Sequence, residues 1–530
     1  MPLDARSLPH DTVLQADICV VGAGAAGITV ARELADSGLT VILAEGGGEE
    51  YDEDAQALYA GDSIGAEIDP AIARLRQFGG STNHWGGRSR PFEAADFAPR
   101  TWIAHSGWPI DYAEFAAHLP RALALCEIEA DDFTSPHVLP NALPFDPARV
   151  ENGLWRFSPP TAFGTRYGPE LGATSRLQVI LHANLIDIRL NETCRKVERL
   201  AFATLTGIGL TVSCRFAVLA CGGLENARLL LASRSQMSCG IGNARDLVGR
   251  FFMGHPVWDL MEVQLRPGAR LPGIYHQMRR ADGESEGMVR LGRALQAKLG
   301  TTCVDASFYA GGQFGTPGVR AARRLWRSVR RRTISDGLGR DIAILLGDLD
   351  GLAWAGMVRA GLVRPETSTV TVSMRVEQVP NPDSRVTLGE GRDALEQPTL
   401  LVDWRIGEQD RHGLVSFSRV LAEEIGRIGL GRALLADWLT DPEKPIPSHS
   451  NSAHHIGTTR MGADPSRGVV DRNCRVFGLD NLFVAGSSVF PTGGSVHPTL
   501  NIVAMAVRLA AHLRLVTRDG DGSSTAAGPN

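Results

Sequence analysis

Residues 17–27 read DICVVGAGAAG. The β-branched residues within 17–21 predict a strand, and the alanine-rich stretch 25–37, with its apolar residues at helical spacing, predicts a helix directly after the glycine-rich turn. Residues 40–44 form a second apolar run, which ends at Glu45. The segment therefore predicts a βαβ unit, which is the opening of a parallel α/β sheet.

The glycine spacing of this unit is typical of a dinucleotide-binding turn. Gly22 would make the turn, Gly24 would let a pyrophosphate approach the backbone, and Gly27 would let the helix pack closely on the strand. Ala26 lies in the same turn, and Glu45 stands where a carboxylate can accept hydrogen bonds from ribose hydroxyls. NAD and FAD both contain adenosine diphosphate, so the turn alone does not separate them.

Two further stretches suit a flat ligand. Residues 74–90 read RLRQFGGSTNHWGGRSR, which is too dense in glycine for a regular element. Residues 216–231 read FAVLACGGLENARLLL and predict another buried strand, a turn and a helix that return to the same sheet. The candidate cofactor-binding residues in these stretches are Arg76, Gly79, Gly80, Ser81, Asn83, His84, Trp85, Gly86, Gly87, Gly222 and Asn226.

The last third of the chain carries two more glycine-rich segments. Residues 454–462 read HHIGTTRMG, and residues 486–498 read GSSVFPTGGSVHP before an apolar-faced helix that is predicted from Thr499 to about Leu515. The positive end of that helix dipole would lie beside His497 and would suit a ring edge that becomes anionic on reduction. Gly486, Ser487, His497, Pro498 and Thr499 join the candidate cofactor-binding residues.

In these motifs the chain resembles the glucose-methanol-choline (GMC) oxidoreductases, an FAD-dependent family, over residues 17–515. The segments EQVPNPDSRV at 377–386 and GGSVHPTLN at 493–501 also stand in the family's order. HHIGTTRMG is similar to the pattern of the branch that contains pyranose oxidase and related sugar and polyol dehydrogenases. The resemblance implies FAD as cofactor and oxidation of a hydroxyl group of a sugar, glycoside or polyol.

The resemblance also implies the fold and its division. The expected fold class is α/β, with a discontinuous Rossmann-like FAD-binding domain and an α+β substrate domain built on an antiparallel sheet. We assign residues 14–110, 176–254 and 446–516 to the FAD-binding domain, and residues 111–175 and 255–445 to the substrate-binding or lid domain. The remaining residues, 517–530, lack periodicity and are predicted to form a disordered tail.

The family pattern selects His454, and not His455, as the active-site histidine, and His497 as its partner. Alcohol oxidation needs a group that is neutral near pH 7 and can accept a proton, which histidine provides. We interpret His454 as the general base and His497 as the hydrogen-bond partner of the substrate oxygen, although the two roles could be exchanged. Gln378 and His449 are further candidate substrate residues.

A metal site at the histidine cluster His449, His454 and His455 is not expected. Adjacent histidines on an extended segment face opposite ways, and no carboxylate or cysteine spacing completes a ligand set. His84 corresponds to the histidine through which pyranose oxidase binds FAD covalently. Asn83 and the Gly86-Gly87 pair depart from that setting, so covalent attachment and simple contact with the cofactor both remain open.

Composition limits the other functions. With 54 basic and 59 acidic residues the net charge is −5, so we expect no nucleic-acid partner. The eight cysteines include no CxxC pair and predict reduced core thiols, and the first residues lack a signal-peptide pattern, so a cytoplasmic location is expected. The apolar stretch 342–362 contains Asp348 and Asp350, which argues against a membrane span.

Several alternatives remain at this level. Seven arginines crowd residues 320–332, and they form either a solvated helical face over a lid or a docking surface for an acidic electron acceptor or an anionic membrane. The electron acceptor itself is open between oxygen, a quinone and a redox protein. A non-sugar alcohol as substrate, a non-redox flavin-containing lyase and a flavin-binding module without turnover are the alternative functions.

Overall fold

The structure is a computed structural model that describes residues 2–310, 338–350, 369–451 and 453–522, together with 318, 321, 322, 325, 352 and 353. The arginines of the 320–332 segment lie outside the described residues, so the two interpretations of that segment stay predictions.

The strands, in chain order, are β1 (Leu3–Asp4), β2 (Thr12–Val21), β3 (Val41–Ala44), β4 (Gly61–Gly65), β5 (Arg88–Ser89), β6 (Val150–Phe157), β7 (Leu177–Leu181), β8 (Asn184–Leu190), β9 (Val197–Ala203), β10 (Gly209–Leu219), β11 (Pro256–Leu265), β12 (Met278–Arg280), β13 (Gly283–Leu291), β14 (Val304–Ala310), β15 (Thr369–Val376), β16 (Arg385–Arg392), β17 (Pro398–Trp404), β18 (Gly431–Leu435), β19 (Ser450–Asn451) and β20 (Leu482–Val484). The α-helices span Ala25–Leu34, Glu53–Ala57, Ala94–Phe97, Tyr112–Ala116, Leu119–Leu125, Phe163–Ala173, Gly222–Ala232, Arg293–Leu299, Leu338–Leu346, Glu408–Arg427, Asp437–Thr440 and Thr499–Gly522.

The first sheet is the one that the βαβ unit opens. Its order is β1-β7-β3-β2-β10-β9-β8, with β20 beside β10, and β2 pairs in parallel with both β3 and β10. Its strands come from three separate stretches of the chain, at 3–44, 177–219 and 482–484. The predicted discontinuous Rossmann-like sheet is therefore confirmed, whereas the exact domain boundaries stay predictions.

The central strands of this sheet are apolar because both of their faces are covered. Ile18 to Val21 of β2 and all four residues of β3 are buried. The helix Ala25–Leu34 follows β2 and packs against the C-terminal helix Thr499–Gly522. The helix Ala25–Leu34 therefore begins at the carboxyl edge of the sheet, where α/β folds place their ligands.

The second sheet is antiparallel at each of its pairings. Its order is β18-β11-β15-β14-β13-β6-β5, with β12 beside β13 and β19 beside β11, and the helix Glu408–Arg427 packs against it. Buried apolar residues such as Trp258, Val372 and Phe417 join this sheet and helix into one core. The predicted α+β substrate domain on an antiparallel sheet is confirmed. A small third sheet has the order β16-β17-β4.

The C-terminal helix is longer than the sequence analysis predicts. It runs from Thr499 to Gly522, so the first six residues of the predicted disordered tail are helical. Thr517 is buried, and its hydroxyl donates to the carbonyl of Leu513 at 2.8 Å, so the helix still packs against the protein past Leu515. Residues 523–530 lie outside the described residues.

Among the described helices, Thr499–Arg518 alone is long and apolar enough to cross a membrane, judged by length and composition. Of its most apolar window, 61% is buried against the rest of the protein, so packing already accounts for its apolar side chains.

All eight cysteines are free thiols in this structure. Cys19, Cys126, Cys303 and Cys474 are buried, as expected for core thiols, whereas Cys239 is exposed and does not belong to the core.

Candidate active site

A cavity of about 780 Å³ lies at the carboxyl edge of the first sheet and reaches residues of the second. It brings together most of the residues that the sequence analysis selects from five separate stretches of the chain. Those that line it are Gly22, Gly24, Ala26, Glu45, Arg76, Gly80, Ser81, His84, Trp85, Gly86, Gly87, Gly222, His454, Gly486, Ser487, His497, Pro498 and Thr499.

Three of the predicted cofactor-binding residues, Gly27, Gly79 and Asn83, do not line the cavity but order the backbone behind its wall. A Cβ on Gly27 would lie 1.8 Å from the carbonyl oxygen of Gly22, so this position serves helix packing. The N–H of Gly79 donates to the carbonyl of Ala23 at 2.8 Å, and the Asn83 amide donates to a backbone carbonyl five residues earlier at 2.9 Å.

Asn226 also lies behind the cavity surface, where it joins two of the walls. Its amide oxygen accepts from the N–H of Cys221 at 2.9 Å, and its amide nitrogen donates to the carbonyl of Ala485 and the hydroxyl of Ser488, both at 3.0 Å. The turn after β10 is thereby tied to the turn after β20.

The structure does not bring Gln378 and His449 to the cavity. The amide oxygen of Gln378 accepts from the indole N–H of Trp404 and from the N–H of Gly254, each at 2.7 Å. The ring of His449 packs between Trp404 and Trp258, with centroid distances of 4.6 and 5.6 Å. In the described part of the chain, no three His, Cys, Asp or Glu side chains are placed to hold a metal ion.

One end of the cavity has the features of an anion site. The helix Ala25–Leu34 starts there after Gly24, and no side chain caps its first N–H groups. Ala25 and Ala26, in the first turn of this helix, line the cavity. Free N–H groups and the positive end of a helix dipole favour a phosphate group at this position.

Glu45 stands beside this anion site. Its carboxylate accepts hydrogen bonds from the N–H groups of Ala23 and Gly47, at 2.7 and 2.9 Å. Burial raises the pKa of this carboxyl group, although these hydrogen bonds and Arg76 act in the opposite direction. Glu45 thus orders the turn and also presents an acceptor to the cavity.

A buried arginine cluster lies on the cavity wall, and Arg76 is its only member among the candidate cofactor-binding residues predicted from the sequence. The Cζ atoms of Arg74 and Arg76 lie 3.8 and 4.7 Å from the centroid of the Tyr59 ring. Glu225 accepts from Arg74 at 3.0 Å and also pairs with Arg228, and these arginines hold the pKa of its carboxyl group low. Arg74 and Glu225 lie inside the stretches quoted above, but nothing in the sequence points to Tyr59.

At another part of the cavity two histidine rings face each other. The centroids of the His454 and His497 rings are 4.9 Å apart, at an interplanar angle of 76°. Burial, reinforced by the cation of Arg375, lowers the pKa of both rings well below the usual 6.5, so both are neutral near pH 7. Ala453, directly before His454, has φ +55°, a left-handed conformation that is uncommon for a residue with a Cβ.

A third histidine lies directly behind this pair. Nδ1 of His255 is 2.9 Å from Nδ1 of His454, and Nε2 of His255 is 2.7 Å from the carbonyl oxygen of Gly494. Met253 and Ile456 form an antiparallel bridge, which brings the segments of His255 and His454 side by side. The sequence analysis missed His255 as a site residue, because its partner is 199 residues away along the chain.

The turn that contains Gly494 and His497 is held by a buried ion pair. Arg100 donates two hydrogen bonds of 2.6 Å to the carboxylate of Glu377, which also accepts from the N–H of Gly494 at 3.2 Å. Glu377 is fully buried, and Arg100 holds its pKa below the ordinary 4.5 even though burial acts in the opposite direction.

Replacing Glu377 with glutamine is therefore expected to lower the free energy of unfolding by about 3 to 5 kcal/mol, because it leaves Arg100 as a buried charge without its partner. Since the folded-state pKa of Glu377 is depressed, this contribution is present above pH 4.5 and is lost as the pH falls below it. Urea unfolding followed by circular dichroism measures the change. The control is Glu129→Gln, which breaks an exposed pair with Arg279 and should cost no more than about 1 kcal/mol. Equal losses in the two variants would show that the buried pair is not structural.

The chain is similar to known oxidoreductases. A family model described as GMC oxidoreductase matches residues 380–506. The 6'''-hydroxyparomomycin C oxidase of Streptomyces lividus is 25% identical, over 94% of this chain and 92% of its own length. The 2-methyl-1,2-propanediol dehydrogenase of Mycolicibacterium austroafricanum is 23% identical, over 94% of this chain and 95% of its own length.

A solved structure is similar over nearly the whole fold. The formate oxidase of Aspergillus oryzae, in a variant made to follow FAD modification, superimposes with a TM-score of 0.55 at 15% identity. The match covers 97% of this chain and 100% of that protein. At this identity the likeness supports the fold alone.

Proposed function

We propose that this chain, a GMC oxidoreductase by its match to the family model and by relatives that match 94% of its length, uses FAD to oxidise a hydroxyl group of a sugar, glycoside or polyol. The observation that carries the proposal is the pair His454 and His497, whose rings face each other on the wall of a glycine-lined cavity at the carboxyl edge of a Rossmann-like sheet. Neutral imidazoles at such a position can accept a proton from an alcohol and hold its oxygen.

The cavity fits an FAD molecule because its wall offers backbone N–H donors and because glycines leave its surface free of side chains there. A Cβ on Gly80 would lie 2.9 Å from the Cα of Gly24, so a side chain at position 80 would collide with the backbone beside the uncapped helix. The N–H groups of Ala25 and Ala26 would hold the pyrophosphate and Glu45 a ribose hydroxyl. Pro498 and Thr499, at the start of the C-terminal helix, would hold the flavin ring.

When bound, the flavin accepts the hydride that leaves the carbinol carbon. We assign His454 as the base that takes the hydroxyl proton, so that a carbonyl group remains on the product. His497 donates a hydrogen bond to the same oxygen while negative charge develops on it. Arg375, whose Nη1 is 3.3 Å from the Nδ1 of His497, places a cation behind that ring.

Polar groups on the cavity wall favour a substrate with several hydroxyl groups. Arg88 and Gln277 line the cavity, and Glu286 fixes Arg88 through an ion pair of 2.6 Å. The edge-to-face contact of Trp155 with His497, at 5.1 Å, adds an apolar wall behind that histidine. Relatives named for 6'''-hydroxyparomomycin C and for 2-methyl-1,2-propanediol agree with a polar alcohol as substrate.

The test is anaerobic addition of sugars, glycosides, polyols and simple monoalcohols to the purified yellow protein. We expect sugars or polyols to bleach the flavin absorbance faster than monoalcohols of equal concentration, because only the former offer several hydroxyls to the polar wall. Repeating the best case with a dye acceptor and with oxygen identifies the electron acceptor. Turnover of an alcohol without bleaching would support a non-redox lyase, and bleaching by monoalcohols alone would overturn the substrate class.

A further inference from the structure

Each active-site histidine has one ring nitrogen held by a residue that does not line the cavity. His255 contacts His454 through their Nδ1 atoms at 2.9 Å, and Nη1 of Arg375 lies 3.3 Å from Nδ1 of His497. His255 is buried, and Arg375 packs over Trp155 with its Cζ 5.3 Å from the ring centroid. Because His255 and Arg375 do not line the cavity, cofactor binding does not explain why they contact the two histidines.

The contact on the far side of His255 determines where the shared proton lies. Its Nε2 is 2.7 Å from the carbonyl oxygen of Gly494, and because a carbonyl only accepts, this Nε2 carries a hydrogen. Burial lowers the pKa of His255 to about 4, so the ring is neutral near pH 7 and its Nδ1 bears a lone pair. Nδ1 of His454 must then donate to it, which leaves the lone pair of His454 on Nε2.

The second histidine has the opposite arrangement. A guanidinium group has no acceptor, so Arg375 donates and Nδ1 of His497 accepts. Because the ring of His497 is neutral near pH 7, its hydrogen is on Nε2. The two rings therefore present different groups at the same atom, a lone pair on His454 and an N–H on His497.

We propose that His255 and Arg375 are positioning residues that set opposite tautomers on His454 and His497, so that only His454 can act as the base. The inference rests on the proposed function for its chemical meaning, since an alcohol needs one acceptor and one donor at its oxygen. It also removes the ambiguity between the two histidines that their sequence motifs leave. The backbone supports this arrangement, because Glu377 holds the N–H of Gly494 and the Met253 bridge holds the segment before His255.

The direct test is ¹⁵N NMR of the holoenzyme labelled with [¹⁵N]histidine, in which the coupling pattern of each ring distinguishes the two neutral tautomers. The peaks that are missing from the spectra of His454→Gln and His497→Gln identify the signals of the two rings. We expect the Nδ1–H tautomer for His454 and the Nε2–H tautomer for His497. The Nε2–H tautomer at His454, or the Nδ1–H tautomer at His497, would overturn the proposal, and this measurement needs no variant of His255.

Two variants of His255 then test its action on His454. His255→Leu removes the acceptor and should allow His454 to populate both tautomers. The rate of flavin reduction at saturating substrate is expected to fall about 10- to 100-fold, as for other partners that orient a functional imidazole. His255→Asn keeps an acceptor at the δ position and should restore most of the rate and the original tautomer. The substrate concentration for half-saturation should change little in either, because His255 does not line the cavity.

The outcomes separate this inference from the proposed function. If no alcohol reduces the flavin while the NMR spectra show the expected tautomers, the proposed function fails and the positioning role stands. If alcohols reduce the flavin but His255→Leu keeps the wild-type tautomer and rate, the positioning role fails and the proposed function stands. Flavin content and circular dichroism of His255→Leu are measured alongside, so that a folding defect is recognised.

Discussion

Alanine at position 454 is expected to slow reduction of the bound flavin by the best alcohol about 10²- to 10⁴-fold, which is the usual contribution of a general base, while flavin content stays unchanged. His454 lines the cavity, and its Nδ1 is held by His255. The substitution removes the proton acceptor but leaves the glycine-lined walls intact. Anaerobic stopped-flow absorbance measures the reduction rate over a range of substrate concentrations.

The matched control is the neighbouring histidine. The ring of His455 is buried and stacks on Phe252, with a centroid distance of 6.1 Å and an interplanar angle of 28°. His455→Phe keeps this packing and removes both ring nitrogens, so the reduction rate should change little. If His455→Phe were the damaging change, or if His454→Ala were as fast as the wild type, the base would have to be reassigned.

Valine at position 24 is expected to abolish flavin binding and, with it, all alcohol oxidation. Gly24 has an ordinary extended conformation, and the nearest atom to a Cβ built on it is the Cα of Gly80, at 4.0 Å. The protein itself therefore tolerates a side chain there, but that side chain would occupy the space in which the pyrophosphate must approach the backbone. We expect the ratio of flavin to protein to fall at least about tenfold in absorbance spectra, while the apo forms of variant and wild type unfold at similar temperatures.

Two other glycines separate loss of the ligand from loss of the fold. Gly27→Val would place a Cβ 1.8 Å from the carbonyl oxygen of Gly22, so this variant should fail to fold. Gly426 lies in the helix Glu408–Arg427 with no atom within 4 Å of an added Cβ, so Gly426→Val should keep full flavin content. A Gly24→Val protein that retained its flavin would contradict the placement of the cofactor.

The parts of the site that depend on local backbone could be predicted from the sequence. Residues 17–27 predict a strand, a turn and a helix because each step needs only neighbours in the chain, and the structure contains that unit. The glycine-rich stretches at 74–90 and 486–498 likewise lie on the cavity wall. The resemblance to the GMC family was sufficient to select His454 and His497, whose rings face each other in the structure.

Other expectations differ from the structure where contacts within the folded chain decide the outcome. Gln378 belongs to a recognisable segment, yet its amide is used by Trp404 and Gly254 and does not reach the cavity. The last helix continues to Gly522, and Thr517 on it is buried, which the composition of residues 517–530 does not reveal. Packing partners, rather than local propensity, determine both results.

The sequence by itself therefore determined the βαβ opening and the glycine-lined turns, because these follow from short-range backbone requirements. The two facing histidines were selected by the resemblance of their motifs to the GMC family. Only the tertiary structure placed Tyr59 against Arg74 and His255 against His454. The His255 contact joins residues 199 positions apart, and its register depends on how the two segments pair in the folded protein. This hydrogen bond forms only in one pairing register, because a shift of one residue would turn one of the two side chains away from the other. The residue pattern within either segment does not specify that register.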